Sequence, residues 1–403
     1  MNRARSAVRP DAIRRHNLSL LLEEIHHEGK LTRAELTQRI GLNRSTIGAL
    51  VGDLTDLGLL AEQVPTSTND RAGRPSHLVG PRPDGPFVLA IDLEVDRLAS
   101  AAVGLGGHVI ARLESSLGPA ERTPAHVAAL VAADADQLLR GAEDSVARVV
   151  GVGVSIPGTV TRDGKEIALS PNLDWRDVGF ADLVAKHLAN TLKLALPVEL
   201  GNDANLGVMA EHVRGSARGS DDVVYLTGRT GVGAGILVNG SALRGFQGLA
   251  GEVGHMVLDP AGPRCHCGND GCIETYVGAP AVLAAAGCPI PLGRESLLWL
   301  DQSLAAGETG AVAGIRAIAE PLGRTIANLV NMLNPERIVL GGVLAKVLQT
   351  ARAEVESALH KHAFDDSRGV VDLRAAGLGE DSSLMGAAEL AFQQLLNNPF
   401  LRA

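Results

Sequence analysis

One histidine and three cysteines, His255, Cys265, Cys267 and Cys272, follow one another at intervals of ten, two and five residues. They make a complete Cys3His set for a tetrahedral Zn2+, and a set with no spare position holds a structural rather than a catalytic ion. Three of the chain's four cysteines fall within eight residues, which argues against plain reduced thiols in a loop. His266, between two of the cysteines, is a competing ligand. Two carboxylates frame the loop: Glu252 lies three residues before His255, and Glu274 two residues after Cys272. An ion bound there would fix both acids. Carboxylates accept hydrogen bonds from neighbouring hydroxyls, so a polyol is the ligand class they suit. A surface salt bridge is the other use for either acid.

A second constellation lies near the start. Thr32-Arg33-Ala34-Glu35 is a capping box that opens a short helix with Leu36 and Ile40 on its inner face, and Gly41 turns the chain. Asn43 is a good N-cap for the next helix, which runs to about Leu57 with Ile47, Leu50, Val51, Leu54 and Leu57 buried; Gly58 stops it. A preceding helix, Asn17–His27, carries Leu18, Leu21, Leu22 and Ile25 at amphipathic spacing. The exposed start of the third helix offers Arg44, Ser45, Thr46 and Gly48, small or polar as entry into a major groove requires. Leu59–Glu62 reads as a strand, Thr66–Arg71 as a polar tip and His77–Val79 as a returning strand, together a wing. Arg74, between Gly73 and Pro75, suits a narrow minor groove. Residues 1–80 therefore read as a winged helix-turn-helix, mainly α with a β wing. Its candidate DNA contacts are Thr32, Arg33, Asn43, Arg44, Ser45, Thr46, Arg71 and Arg74; a helical dimerisation module is the rival reading.

Charge supports that division. The net charge of −9 looks wrong for a DNA-binding chain, yet residues 1–80 hold 11 Lys/Arg against 9 Asp/Glu, and the rest 26 against 37. The first fifteen residues carry five arginines and one acid, an arm for phosphates or a solvated terminus. Pro81–Pro86 reads as a turn-rich hinge and linker. After it come strands at Phe87–Asp92, Ala99–Leu105, His108–Glu114 and Arg148–Ile156, with a helix over Pro124–Arg140. A second set follows at Val223–Thr227, Gly233–Val238 and Ile338–Gly341. Strands alternating with helices predict two similar α/β lobes around a ligand cleft, 87–200 and 201–403, with the metal loop 255–272 in the second. A helix over Ser382–Leu396 is expected to close that second lobe. No apolar run approaches the ~18 residues of a membrane span, and the Arg-rich start lacks the apolar core of a secretory signal. The expectation is a cytoplasmic bacterial protein with no membrane contact, nucleoid-associated when on DNA.

The block Gly251–Glu274 resembles the signature of the ROK family (repressors, open reading frames and kinases). With the N-terminal segment, the whole chain is similar to that family's xylose-, glucose- and N-acetylglucosamine-responsive regulators. The motifs match in order: Ile156-Pro157-Gly158, Gly201-Asn202-Asp203-Ala204-Asn205, Gly231-Val232-Gly233-Ala234-Gly235, the Glu/His/Cys block and Gly341-Gly342. The resemblance implies a two-lobed, actin-like, sugar-kinase-like ATPase core. Gly158, Asn202, Asp203, Glu252, His255 and Glu274 would contact the sugar, and His255, Cys265, Cys267 and Cys272 would hold one structural Zn2+. Asp203 stands where the family's kinases carry their base. The family's phosphate loop, Asp-x-Gly-Gly-Thr, is replaced by Asp92-Leu93-Glu94-Val95-Asp96, whose side chains block and whose acids repel a triphosphate. The expectation is a regulator, read as a repressor, in which catalysis is lost and Asp203 is vestigial. Its partners would be a palindromic operator, a small sugar and its own copies, as homodimer or homotetramer. Two rivals are an ATP-dependent sugar kinase fused to a DNA-binding domain, and a partner-binding hub marked by an exposed apolar patch.

Overall fold

Local signals place the first elements where the sequence predicts them. The computed structural model describes residues 10–63, 77–140, 148–365 and 371–401. Helix α1 (Pro10–Glu28) buries Leu18, Leu21, Leu22 and Ile25 completely. Strand β1 (Leu31–Thr32) leads into α2 (Arg33–Ile40), and α3 (Arg44–Asp56) follows, then β2 (Leu60–Gln63) and β3 (Leu78–Pro81). The three strands form one antiparallel sheet in the order β1-β3-β2. The capping box is made as expected: the Thr32 hydroxyl accepts the Glu35 amide, and the Glu35 carboxylate accepts the Thr32 amide at 2.7 Å. Asn43 caps α3 by accepting the Thr46 amide at 2.9 Å.

Helix α1 starts at Pro10 rather than Asn17. Apolar spacing did not mark this extra length, since Ile13 there is exposed. Arg14 lies inside the helix and pairs with Asp53 of α3, its Nη2 donating to Oδ1 at 2.8 Å and its Nε to Oδ2 at 3.1 Å. Arg14 and Arg15 thus belong to a helix rather than to a free arm; Arg3, Arg5 and Arg9 fall outside the described residues.

The first large sheet has β4 (Phe87–Leu93), β5 (Arg97–Gly104), β6 (Val109–Ser116), β7 (Val149–Ile156) and, beyond a small sheet of β8 (Thr159–Val160), β9 (Ile167–Ser170) and β10 (Trp175–Val178), β11 (Val198–Asn202). Its order is β11-β7-β4-β5-β6, antiparallel from β4 to β6 and parallel from β4 to β11. Phe87, Leu89 and Ile91 of β4 face α4 (Pro124–Leu139) and α5 (Phe180–Leu192), while Val88 and Ala90 face the opposite side. Both faces are covered, so β4 reads as a continuous apolar run.

Helix α6 (Asp203–Arg214) leads to the second large sheet: β12 (Val223–Gly228), β13 (Val232–Val238), β14 (Ser241–Ala242), then α7 (Glu274–Val277), α8 (Ala279–Ala285), α9 (Arg294–Ala305), α10 (Thr309–Leu333), β15 (Arg337–Gly342), α11 (Val343–His362), β16 (Asp372–Ala375) and α12 (Ser382–Asn397). The order β14-β13-β12-β15-β16 repeats the first sheet strand for strand, with the same sense at each pairing. The two lobes are therefore topological copies, the actin-like core expected.

Two placements differ from the sequence reading. The C-terminal helix does not close the second lobe. Helix α12 returns to the first sheet, and at its closest a Cβ on Gly153 of β7 would stand 1.9 Å from the Ala387 carbonyl. Residues 382–397 thus pack with the first lobe, although they lie in the 201–403 stretch. Pro81–Pro86 is also no loose hinge. Pro81 ends β3, the Arg82 amide donates to Leu59 at 3.0 Å, and the Gly85 amide donates to Arg82 at 3.0 Å. The physical reason is a shared core: Leu18, Leu22, Ile25, Leu54 and Val79 of the N-terminal part join Val88, Val103, Leu384 and Phe392 in one apolar cluster.

The contact at Gly153 is directly testable. Gly153→Ala is expected to lower the unfolding free energy by about 1–3 kcal/mol in urea titration, the usual cost of overpacking. Gly310→Ala, which meets open space on a helix, should be neutral or slightly stabilising. Equal stability of the two variants would contradict the packing described.

Candidate functional site

The metal loop is built by glycines and short bridges. A helical turn at Val253–His255 presents His255, and Val257 pairs with Cys272 while Arg264 pairs with Asp270. Gly271 has φ 69°, and a Cβ there would lie 1.6 Å from the Asp259 carbonyl, so only glycine closes the loop. The donor atoms of His255, Cys265, Cys267 and Cys272 converge within 4.8 Å of one another. Cys267 and Cys272 place their sulfurs 3.6 Å apart, and Cys265 Sγ is 3.8 Å from His255 Nδ1. A tetrahedral Zn2+ with Zn–S of about 2.3 Å has ligand–ligand edges of about 3.8 Å. The four groups therefore fit such an ion in both donor chemistry and size. His266 stays beside the site, its Nδ1 3.1 Å from Glu274 Oε1 and 4.0 Å from Cys265 Sγ, and with His255 and Glu274 it makes a second possible ligand group. Glu274 also accepts from the Cys265 thiol at 2.8 Å, tying this acid to the loop.

Opposite the loop, β11 runs into α6 at Asn202-Asp203. Asn202 Oδ1 caps the helix by accepting the Ala204 and Asn205 amides at 3.1 and 3.0 Å. Its Nδ2 donates to the Gly158 carbonyl and to Asp203 Oδ1, both at 3.0 Å. Strand β13 joins this group to the loop: a Cβ on Gly233 would be 4.0 Å from Asp203 Oδ1, and one on Gly231 would be 2.8 Å from Glu274 Oε2. Burial raises the pKa of Glu252, with His255 lowering and Glu274 raising it as electrostatic neighbours. Gly158, Asn202 and Asp203 thus form one group and Glu252, His255 and Glu274 another, with the glycines of β13 between them. Both groups are rich in hydrogen-bond acceptors.

Asp203 is half-buried at the start of α6. Burial pushes its pKa up to about 6; Arg229 opposes the shift, and Asp92 and Glu94 add to it.

The phosphate position holds an ion cluster that sequence reasoning missed. Arg229, in the turn between β12 and β13, donates through Nη1 to Glu94 at 2.7 Å and Asp92 at 3.3 Å, and through Nη2 to the Glu380 carbonyl at 3.2 Å. Arg97 pairs with Glu94 as well and with Glu114 at 2.7 Å. The acids that stand where a phosphate loop would be are thus neutralised from the other lobe. A signal was present: an acid in place of a glycine beside buried Asp92 demands a counter-charge, and Arg229 lies two residues before the retained glycine segment. Asp96 stands apart from the cluster, on the rim of a cavity shared with Gly293 and Arg294.

At the N-terminal part the eight candidate contacts divide. Arg44 and Ser45 are exposed at the start of α3, beside half-buried Thr46. Thr32 and Asn43 are engaged as caps, and Arg33 is paired with Glu62, which also accepts from His77. Arg71 and Arg74 fall outside the described residues.

Residues 88–394 match the profile of the ROK family. The chain belongs to the ROK family. It is 27% identical over 391 residues to the xylose repressor of Bacillus subtilis (strain 168), covering 96% of this chain and 97% of that one. It is 33% identical over 273 residues to the glucokinase of Halalkalibacterium halodurans, covering 64% of this chain and 81% of the enzyme. Among solved structures, a ROK family transcriptional regulator, a homologue of the E. coli MLC protein, superposes with TM-score 0.74 at 25% identity and covers 96% of this chain and 97% of its own. A ROK glucokinase from Streptomyces griseus in complex with glucose and AMPPNP superposes with TM-score 0.65 at 26% identity, covering 76% of this chain and 99% of the enzyme. The ROK core is common to both kinds of relative, and the regulators also match the N-terminal part.

Asp203 supplies a test of this geometry. Its folded pKa lies above the unfolded value, so folding takes up a proton between the two, and its penalty grows as pH rises from about 4 to about 6. At pH 7, Asp203→Asn is expected to stabilise the fold by about 1–3 kcal/mol in urea titration, an advantage that vanishes below about pH 4. A variant no more stable at pH 7 would contradict the burial of this carboxylate.

Proposed function

We propose that this ROK protein is a sequence-specific, DNA-binding transcriptional regulator of carbohydrate metabolism, acting as a repressor, whose effector is a small sugar. The observation that carries the reading is the contrast within one cleft. The acceptor group around Asp203 keeps the form a sugar needs, while Arg229, Asp92 and Glu94 fill the place of the phosphate loop with ion pairs. Full-length similarity to a xylose repressor supports the same reading.

The N-terminal part serves as a winged helix-turn-helix. Helix α3 is the recognition helix, with Arg44 and Ser45 at base edges, Thr46 beside them, and Thr32 and Asn43 holding the helix starts in place. Strands β2 and β3 form the arms of the wing, whose tip would bring Arg71 and Arg74 to the backbone and minor groove. Two such heads in a symmetric dimer, or in a tetramer built from dimers, match a palindromic operator. Exposed Leu243, Phe246 and Leu249 offer an apolar patch that such an assembly would cover. Among the described residues no helix is long and apolar enough to cross a membrane. The site of action is the bacterial cytoplasm, at the nucleoid when bound to DNA.

One Zn2+ per chain is held by His255, Cys265, Cys267 and Cys272. Its role is structural, fixing the loop that carries Glu252 and Glu274. The sugar then binds by hydrogen bonds from its hydroxyls to Asp203, Glu252 and Glu274, with Asn202 and the Gly158 turn shaping the floor. To move the protein from 1:99 to 99:1 between DNA-bound and free settings, the sugar must favour one by about 5.5 kcal/mol.

A sugar kinase fused to a DNA-binding head is the second reading. Asp203 favours it, since a carboxylate with a pKa of about 6 is suited to general base work. The two readings part on ATP: the regulator releases no ADP with any sugar.

Operator affinity measured across D-xylose, D-glucose and N-acetyl-D-glucosamine, on fragments recovered from genomic DNA, tests the reading. At least one sugar is expected to change it about tenfold or more, and Arg44→Ala to cost about 1–3 kcal/mol of operator binding. A chain that turned over ATP with sugar and selected no DNA sequence would overturn it. Cys267→Ser is expected to lose the zinc measured by elemental analysis, to lower the thermal midpoint and to weaken sugar binding; a metal-free chain of normal stability and affinity would remove zinc from the account.

A further inference from the structure

Two helices run from the ligand cleft to the N-terminal head. Helix α6 starts at the cleft with Asn202 and Asp203 and ends at Arg214, about 18 Å away at 1.5 Å per residue. Helix α12 starts beside it, the Ser383 hydroxyl donating to the Asp203 carbonyl at 3.2 Å. The pair is locked together along its length. A Cβ on Gly386 would lie 2.1 Å from the Leu206 carbonyl, so the backbones touch. The Ser382 hydroxyl donates to Glu211 at 2.8 Å, and Glu211 also takes the Ser216, Gly377 and Leu378 amides. A displacement of Asp203 would therefore bear on both helices.

Through Arg214 at the end of α6 and Glu389 midway along α12, both helices grip one residue of the head. His26 of α1 is fully buried. Its Nδ1 accepts the Gly106 amide at 3.0 Å, which leaves Nε2 to donate to Glu389 of α12 at 2.9 Å. Arg214 of α6 donates through Nε to the other Glu389 oxygen at 2.7 Å, and through Nη1 to the carbonyls of Gly106 at 2.9 Å and His26 at 3.2 Å. Gly107 makes room for the guanidinium, since a Cβ there would stand 2.3 Å from its central carbon. Buried charges are costly unless paired; Glu389 takes both His26 and Arg214, and Arg214 Nη2 also stands 2.8 Å from His26 Nε2, so α1, α6 and α12 meet in one buried cluster. A head held by apolar packing alone would not need it.

We propose that Arg214 and Glu389 are positioning residues that set the angle of the DNA-reading head through His26, so that a ligand-driven shift of α6 at Asp203 is delivered to α1. The inference rests on the regulator reading above and names the route by which its two sites communicate. The network has two properties such a route requires: it is stiff between the sites, and it is specific in direction at the end.

The test compares full-length wild type with Arg214→Lys, Glu389→Gln and the neutral pair Arg214→Gln/Glu389→Gln. Sugar binding is measured by calorimetry with D-xylose, D-glucose and N-acetyl-D-glucosamine, and operator binding by anisotropy with and without the sugar that binds. Wild type is expected to change operator affinity by about tenfold or more on saturation, and the variants by less than about threefold, with sugar affinity held within about twofold. Loss of stability that lowers both affinities together but leaves the sugar-induced ratio at its wild-type value would assign the cluster a merely structural role and overturn the proposal. Arg214→Lys and Glu389→Gln, which keep charge or shape, serve where the neutral pair fails to fold. A wild-type chain that binds a sugar without any change in operator affinity would overturn the regulator reading and the proposal together.

Discussion

The backbone contact of α12 with both β7 and α6 is the constraint on which the rest of the molecule depends. Gly153 and Gly386 remove the side chains that would keep these elements apart. That close approach brings the last helix of the chain back under the first sheet, between the lobe and the head. Leu384 and Phe392 then serve the cores of both. The same helix reaches Asp203 at Ser383 and the head at Glu389. A head joined through such a core cannot drift freely, so whatever moves the lobe moves the head.

A second constraint is electrostatic. Asp92 is fully buried at the end of β4, and Glu94 follows where a phosphate loop would need glycine. A buried acid beside a half-buried one demands positive charge. Here Arg229 reaches across from the second lobe and supplies it. One ion cluster thus occupies the place of the phosphate loop and links the two lobes.

What was legible in the sequence was what is local. The capping box at Thr32–Glu35, the Asn43 cap, the apolar strand at Phe87 and the metal loop all form between residues a few positions apart. Their chemistry is written in adjacent letters. The family motifs were legible by their order, and Asn202 does join Gly158 to Asp203. What was hidden depends on partners far away in the chain. Ser382–Leu396 is amphipathic on any surface, and only the glycine at 153 decides which surface it meets. Pro81–Pro86 has the composition of a hinge, yet the apolar match between Leu22 and Phe392 holds its two sides together. Arg229 and Glu94 are separated by 135 residues, and no local pattern pairs them. His26 carries no motif at all.

The account holds that ligand in the cleft and the angle of the head are one equilibrium, carried by a continuous packed body. Amide hydrogen exchange on the full-length protein, with and without a saturating sugar, reads this directly. Protection is expected to change along α1, from Leu18 to Glu28, as well as around Asp203. Changes confined to the cleft, with α1 exchanging identically in both states, would contradict it.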